Sequence, residues 1–134
     1  AEDYALDMGI VRTAEGTEVA QARWFFALAV RAAGVAPLDC VRTQLDDDEG
    51  LEREARQARQ LGYGGKLLIH PRQIAVVHRA FAPTDAEIAE ARRIVAAFSE
   101  AQARGQGAIA LDGRMIDEPV VARARALLAR GGLR

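Results

Sequence analysis

Cysteine occurs once, at Cys40, so no disulfide can close within the chain, and a reducing, cytoplasmic setting suits it. Lysine also occurs once: Lys66 stands alone among 18 basic residues, all the others being arginine. Long apolar runs are missing. The longest, Trp24 to Val30, falls far short of the roughly 20 residues that a bilayer-crossing helix needs, and no basic-then-apolar secretory leader opens the chain. A formal net charge of −1 leaves no excess of either sign, so the balance calls for neither nucleic acid nor an anionic membrane as partner. What remains, 50% hydrophobic and 28% charged over 134 residues, is the composition of ordinary globular sequence, long enough for one domain.

The rest is arranged around Gly64-Gly65-Lys66-Leu67-Leu68-Ile69-His70-Pro71-Arg72-Gln73-Ile74. Two glycines open a short apolar run and a His-Pro pair closes it, which predicts a buried strand followed by a helix. Proline fixes φ near the helical value and lacks the N–H that a first turn leaves unpaired, so Pro71 suits the first helical position. His70 then stands at the carboxyl end of the strand, where α/β folds bind ligands.

Along the chain, Gly9 to Gly16 reads as a loop and Thr17 as the N-cap of a helix through Ala33, with Gly34 after it. Val19, Ala22, Phe26, Ala29, Val30 and Ala33 recur at helical spacing, and Trp24 and Phe25 widen that stripe as expected core residues. Leu38 to Leu45 reads as a strand. The acids Asp46-Asp47-Asp48-Glu49 follow, either offsetting the positive end of a helix from about Asp48 to Leu61 or serving a site at the strand's carboxyl end. Alternation of helix and strand with short connections predicts βα units and a parallel sheet. Beyond Pro83, Thr84-Asp85-Ala86-Glu87 is a capping box for a helix to about Arg104. Residues 107–116 read as a hairpin around Asp112-Gly113, and Asp117-Glu118-Pro119 opens a last helix reaching about Arg130, before Gly131 and Gly132.

The chemical signals are sparse. Gly65-Lys66 is not a phosphate-binding loop, because Gln60 stands where that motif needs glycine and Leu67 where a hydroxyl would hold magnesium. His70 and His78 lie eight apart, not at the three or four that places two ligands together on a helix, and His78 reads as a surface residue. Asp3 and Asp7 form an oxygen-only pair, suited to Mg²⁺ rather than zinc or simply to solvent.

Taken together, Glu2-Asp3-Tyr4-Ala5-Leu6-Asp7-Met8-Gly9, Arg12-Thr13, Gly64-Gly65-Lys66, Ile69-His70-Pro71-Arg72-Gln73-Ile74 and Asp112-Gly113-Arg114-Met115-Ile116-Asp117 resemble the citrate lyase β-subunit family. That family lies in the HpcH/HpaI aldolase superfamily, with malyl-CoA and citramalyl-CoA lyases. The blocks fall in family order and run nearly end to end. The resemblance implies an α/β fold, the C-terminal part of a TIM (β/α)8 barrel. Asp3 would close strand 6, Leu38 to Leu45 would be strand 7, and Gly65 to Ile69 strand 8. Residues 1–82 would be the barrel's βα units, and residues 83–134 a C-terminal extension of hairpin and helices. A whole barrel needs roughly 250 residues, so the chain is expected to be the C-terminal half of such an enzyme.

Residue by residue, the resemblance gives Asp3 the role of a Mg²⁺ ligand. It makes Asp117 the acid that exchanges a proton with a thioester enolate, reaching a neighbouring subunit's site in a trimer or hexamer. His70 and Pro71 fall in a block near the bound CoA thioester. The implied activity is carbon–carbon cleavage of a 3-hydroxyacyl-CoA or acyl-carrier thioester of citryl, malyl or citramalyl type. Two alternatives stand beside it: a malyl- or citramalyl-CoA thioester hydrolase, and a non-catalytic piece that acts by assembly.

Overall fold

The computed structural model describes residues 1–131, so the expected Gly132 stop lies outside the described residues. Two compact units divide the chain, one from Ala1 to Phe81 and one beginning at Ala82.

The first unit holds α1 (Glu2–Asp7), a single 3₁₀ turn (Thr17–Val19), α2 (Ala20–Ala32), β1 (Leu38–Asp39), α3 (Asp48–Gln60), β2 (Gly65–Lys66) and α4 (Gln73–Phe81). β1 and β2 pair in parallel, Leu38 opposite Gly65 and Asp39 opposite Lys66, with α3 as the crossover between them. A parallel pair needs a connection of this kind, since no tight turn can return a strand in the same direction. α3 forms where expected. Asp47 caps it by accepting the Gly50 N–H at 2.8 Å, so within this helix the acidic run does serve capping. Leu51 and Ala55 pack on Val76, Val77 and Ala80 of α4, while Ala58 packs with Ala27 of α2 and Tyr63.

Both strands are shorter than the apolar runs predict. The ladder runs from the Gly64 N–H to Pro37 O and from the Leu67 N–H to Asp39 O, and its next donor, the Ile69 N–H, turns to the Gln73 side chain instead, which in turn donates to Arg42 O. Pro71 also falls short of its expected place. It lies in a turn of i→i+3 bonds, Gln73 N–H to His70 O at 3.0 Å and Ile74 N–H to Pro71 O at 3.1 Å, and the α-helix proper starts at Gln73. Thr17 is the first residue of the 3₁₀ turn rather than an N-cap, while Gly34 does end α2, at φ 75°.

The larger correction is α2. Only Ala27 of this helix is buried. Trp24, Phe25 and Leu28 are 60%, 63% and 67% exposed, so the wide aromatic stripe is not core in this chain. The helix meets Ala58 of α3 through Ala27, Arg23 reaches Asp39 and Phe26 stacks on Tyr63, while the face of Trp24, Phe25 and Leu28 stays uncovered among the described residues.

The second unit is α5 (Asp85–Ala103), the hairpin β3 (Ala108–Leu111) and β4 (Arg114–Asp117), and α6 (Glu118–Gly131). The capping box is present as read, Thr84 Oγ1 accepting the Glu87 N–H at 3.2 Å and Glu87 accepting the Thr84 N–H at 2.7 Å. Asp112 and Gly113 carry positive φ, 49° and 74°, which is the twist a two-residue hairpin turn requires. Ala91, Ile94 and Phe98 of α5 meet Ile116, Val121 and Ala124 in one core.

Candidate functional site

Asp3 stands in the first turn of α1, not at the end of a strand. Its carboxylate is exposed and accepts no hydrogen bond or ion pair among the described residues. α1 is held by a single buried side chain, Ala5. Asp7, the other acid of the sequence pair, is likewise exposed. No cluster of three or more His, Cys, Asp or Glu side chains able to hold a metal exists among the described residues.

His70 and Pro71 lie exposed on the turn that leads from β2 into α4. His70 organises that turn twice, its carbonyl accepting the Gln73 N–H and its Nδ1 accepting the Arg72 N–H at 3.2 Å. No hydrogen bond or ion pair joins Asp3 to this turn.

Asp117 belongs to the second unit. It ends β4, is half-buried, and its Oδ1 accepts the Val120 N–H at 3.3 Å, so it caps α6. Its second carboxylate oxygen has no hydrogen-bond partner among the described residues.

The charged core of the first unit went unforeseen. Lys66 Nζ sits 2.9 Å from Asp39 Oδ2, 3.0 Å from Glu54 Oε2 and 2.7 Å from the Cys40 carbonyl. Arg23 grips the same Asp39 with two arms, at 3.0 and 2.9 Å. Arg42 then joins Glu54 at 2.5 Å to Asp47. Burial would push the Asp39 carboxyl up, but Lys66 and Arg23 outweigh it and hold it below the ordinary carboxylate value. Cys40 is pushed up by burial and by Asp39, so its thiol is a poor nucleophile. Gln73, almost fully buried, bridges the two strand ends, accepting the Ile69 N–H and donating to Arg42 O, both at 3.1 Å. Two sequence signals pointed here: a lone lysine opening an apolar run and an aspartate inside a strand, both at odds with the cost of burying unpaired charge.

The HpcH/HpaI aldolase/citrate lyase family model matches residues 1–71, more than half the chain. The chain belongs to that family. Within it, this chain is 50% identical over 129 residues to a citrate lyase subunit beta-like protein of Deinococcus radiodurans, covering 96% of this chain and 45% of that one. It is 36% identical over 124 residues to the mitochondrial citramalyl-CoA lyase of Rattus norvegicus, 92% of this chain and 37% of that one. In structure it is similar to CitE of Mycobacterium tuberculosis, solved with magnesium, acetoacetate and coenzyme A. The TM-score is 0.85 at 39% identity, covering 98% of this chain and 50% of that one. The chain thus spans about half the length of the family members it matches.

Proposed function

We propose that this chain is the C-terminal part of a Mg²⁺-dependent carbon–carbon lyase of 3-hydroxyacyl thioesters, of citryl, malyl or citramalyl type. On this reading it supplies strands near the end of a TIM barrel and the extension that follows. The metal assignment comes from the place of Asp3 in the sequence block shared with the family, and one observation supports it: its carboxylate, in a helical first turn, is exposed and bonded to nothing among the described residues. Its neighbours Glu2, Tyr4 and Asp7 offer only oxygen, the donor set that suits Mg²⁺. Asp3 would be one of the ion's protein ligands, the remainder coming from substrate oxygens, water and residues beyond this chain. When bound, the ion polarises the hydroxy- or keto-acid oxygens of the substrate.

This chain's own residues then have two tasks. Cleaving the carbon–carbon bond of a 3-hydroxyacyl thioester releases the 3-hydroxyl proton and yields a carbonyl product and a thioester enolate, and the enolate carbon must take up a proton in its place. Asp117 suits that exchange, because capping α6 occupies one carboxylate oxygen and leaves the other for the proton. On this reading it acts at a neighbouring subunit's site in a trimer or hexamer. His70 and Pro71, on the exposed turn fixed by Gln73, would contact the CoA or acyl-carrier arm. The relationship of the chain to CitE, whose structure holds magnesium and coenzyme A, supports these assignments.

A hydrolase is the second reading, favoured by 42% identity over 103 residues to a (3S)-malyl-CoA thioesterase of Cereibacter sphaeroides. The two are separable by a thiol reagent. In the natural full-length protein, malyl-CoA or citramalyl-CoA turned over by a lyase gives a 2-oxo acid and acetyl-CoA with no free thiol. A hydrolase releases CoA thiol stoichiometrically. Turnover that survives Asp3→Asn undiminished would overturn the metal assignment under either reading.

A further inference from the structure

The Arg12-Thr13 pair is part of the family pattern, yet neither residue takes a role in the chemistry above. Their surroundings give them one. Arg12 Nε donates to Glu2 Oε1 at 3.1 Å, while its Nη1 pairs with Glu18. Glu18 is in turn tied to the same loop, accepting from the Thr13 N–H at 3.2 Å and from Thr13 Oγ1 at 2.7 Å. Thr13 Oγ1 also accepts the Gly16 N–H at 3.2 Å. The loop of residues 9–16 is thus a knot closed on Glu18, and Arg12 is the arm that reaches out of it.

What that arm holds is α1. This helix has six residues, one buried side chain and no side-chain N-cap bond. The Glu2–Arg12 pair is its one side-chain ion pair or hydrogen bond among the described residues. Glu2 adjoins Asp3 in the first turn, so fixing the Glu2 side chain limits how that turn can roll and thereby where the Asp3 carboxylate points. The tie also faces the end of the sheet that the proposed site uses. Glu2, Arg12 and Thr13 line a polar cavity of about 120 Å³ together with Arg42, Thr43 and Glu54, which lie at and beyond the carboxyl end of β1.

We infer that Arg12 is a positioning residue for the metal: held by Glu18, which Thr13 anchors, it orients α1 through Glu2 so that Asp3 is set for Mg²⁺. The inference rests on the assignment of Asp3 as a metal ligand. Its usefulness lies in the sign of the effect. Arg12 is a cation near a cation site, so on Coulomb's law alone removing its charge strengthens metal binding. If Arg12 acts by positioning, removing it weakens metal binding.

The test is Mn²⁺ affinity, counted by electron paramagnetic resonance of free and bound ion in the natural full-length protein without substrate. Arg12→Ala is expected to weaken Mn²⁺ binding about two- to fivefold, the size a partly exposed ion pair can transmit, while the melting temperature shows the protein folded. Arg12→Gln keeps a donor for Glu18 and serves where the alanine variant loses its fold; the same direction is expected. Unchanged or tighter binding in the folded variant overturns the inference. Asp3→Asn separates the two claims: if it abolishes binding while Arg12→Ala does not weaken it, positioning fails and the metal assignment stands. If Asp3→Asn leaves binding intact, both fall.

Discussion

Lys66 Nζ lies 2.9 Å from Asp39 Oδ2, and neither side chain has any exposure to solvent. The two residues are opposite each other in the parallel ladder, so the pair sits on the sheet itself rather than at its margin. A buried pair is weak evidence of added stability, because desolvation offsets the attraction, but losing one partner strands the other.

Lys66→Met should therefore destabilise the protein by about 3 kcal/mol, the lower end of the range for breaking a buried pair. Arg23 still neutralises Asp39, and Arg42 still neutralises Glu54. Urea denaturation of wild type and variant measures it. A change within about 0.5 kcal/mol, the usual size of a surface substitution, would show that the lysine carries no such burden.

Acid sensitivity follows from Glu18. Bonds from its own backbone N–H and from the Thr13 hydroxyl bring its carboxyl down to about 2, against about 4.3 in an unfolded chain. Between those values the unfolded state binds the proton more readily, so stability rises with pH there. The contribution is present in full above pH about 4.3 and is lost as pH falls toward 2. Asp39, also held low, acts in the same direction. The denaturation midpoint followed from pH 6 to about 2 should fall less steeply in Glu18→Gln than in wild type; parallel curves would contradict this.

Asp117→Asn separates capping from catalysis. Asparagine caps a helix about as well as aspartate, so the melting temperature should barely move. Turnover in the full-length protein should drop on the order of 10²- to 10⁴-fold, the usual contribution of a positioned acid–base group. Mixing Asp117→Asn subunits with Asp3→Asn subunits should restore part of the activity if the acid acts across an interface. Full turnover by Asp117→Asn would leave it a cap and nothing more.

Association is expected from the outer face of α2. Trp24, Phe25 and Leu28 line an apolar cavity of about 830 Å³ with Ala27 and Leu61, and exposed apolar surface of that kind favours contact with another chain. Sedimentation of the 134-residue chain should show species heavier than the 14.5 kDa monomer, with Trp24→Glu or Leu28→Glu shifting the distribution back. A sharp monomer for the unaltered chain would sink the idea.

Local signals were legible in sequence because their physics is local. Thr84 and Glu87 announce a capping box, Asp112-Gly113 a hairpin turn, and Gly34 and Gly62 the ends of α2 and α3, each through backbone preferences that a few neighbouring residues satisfy. The family was legible for a related reason: its short blocks keep their order whatever surrounds them. The extent of β1 and β2 was not. Those strands end where the Ile69 N–H, next in the ladder, turns to the Gln73 side chain, which is itself held by the Arg42 carbonyl 31 residues away in the chain, and no window of sequence displays such a partner. The same holds for Trp24 and Phe25, whose spacing calls for burial but which stay exposed because no described segment folds over them.

By itself the sequence determined the helices from α2 onward, the hairpin turn, the family and the residue types at each candidate position, since propensity, capping and motif order all act over a few residues. Only the tertiary structure decided that Asp3 rides on a short helix tethered through Glu2 and Arg12, and that Lys66 is buried between Asp39 and Glu54. Both depend on charges from separate segments meeting at about 3 Å, and Coulomb attraction is settled by distance in space, which the order of residues along a chain does not fix.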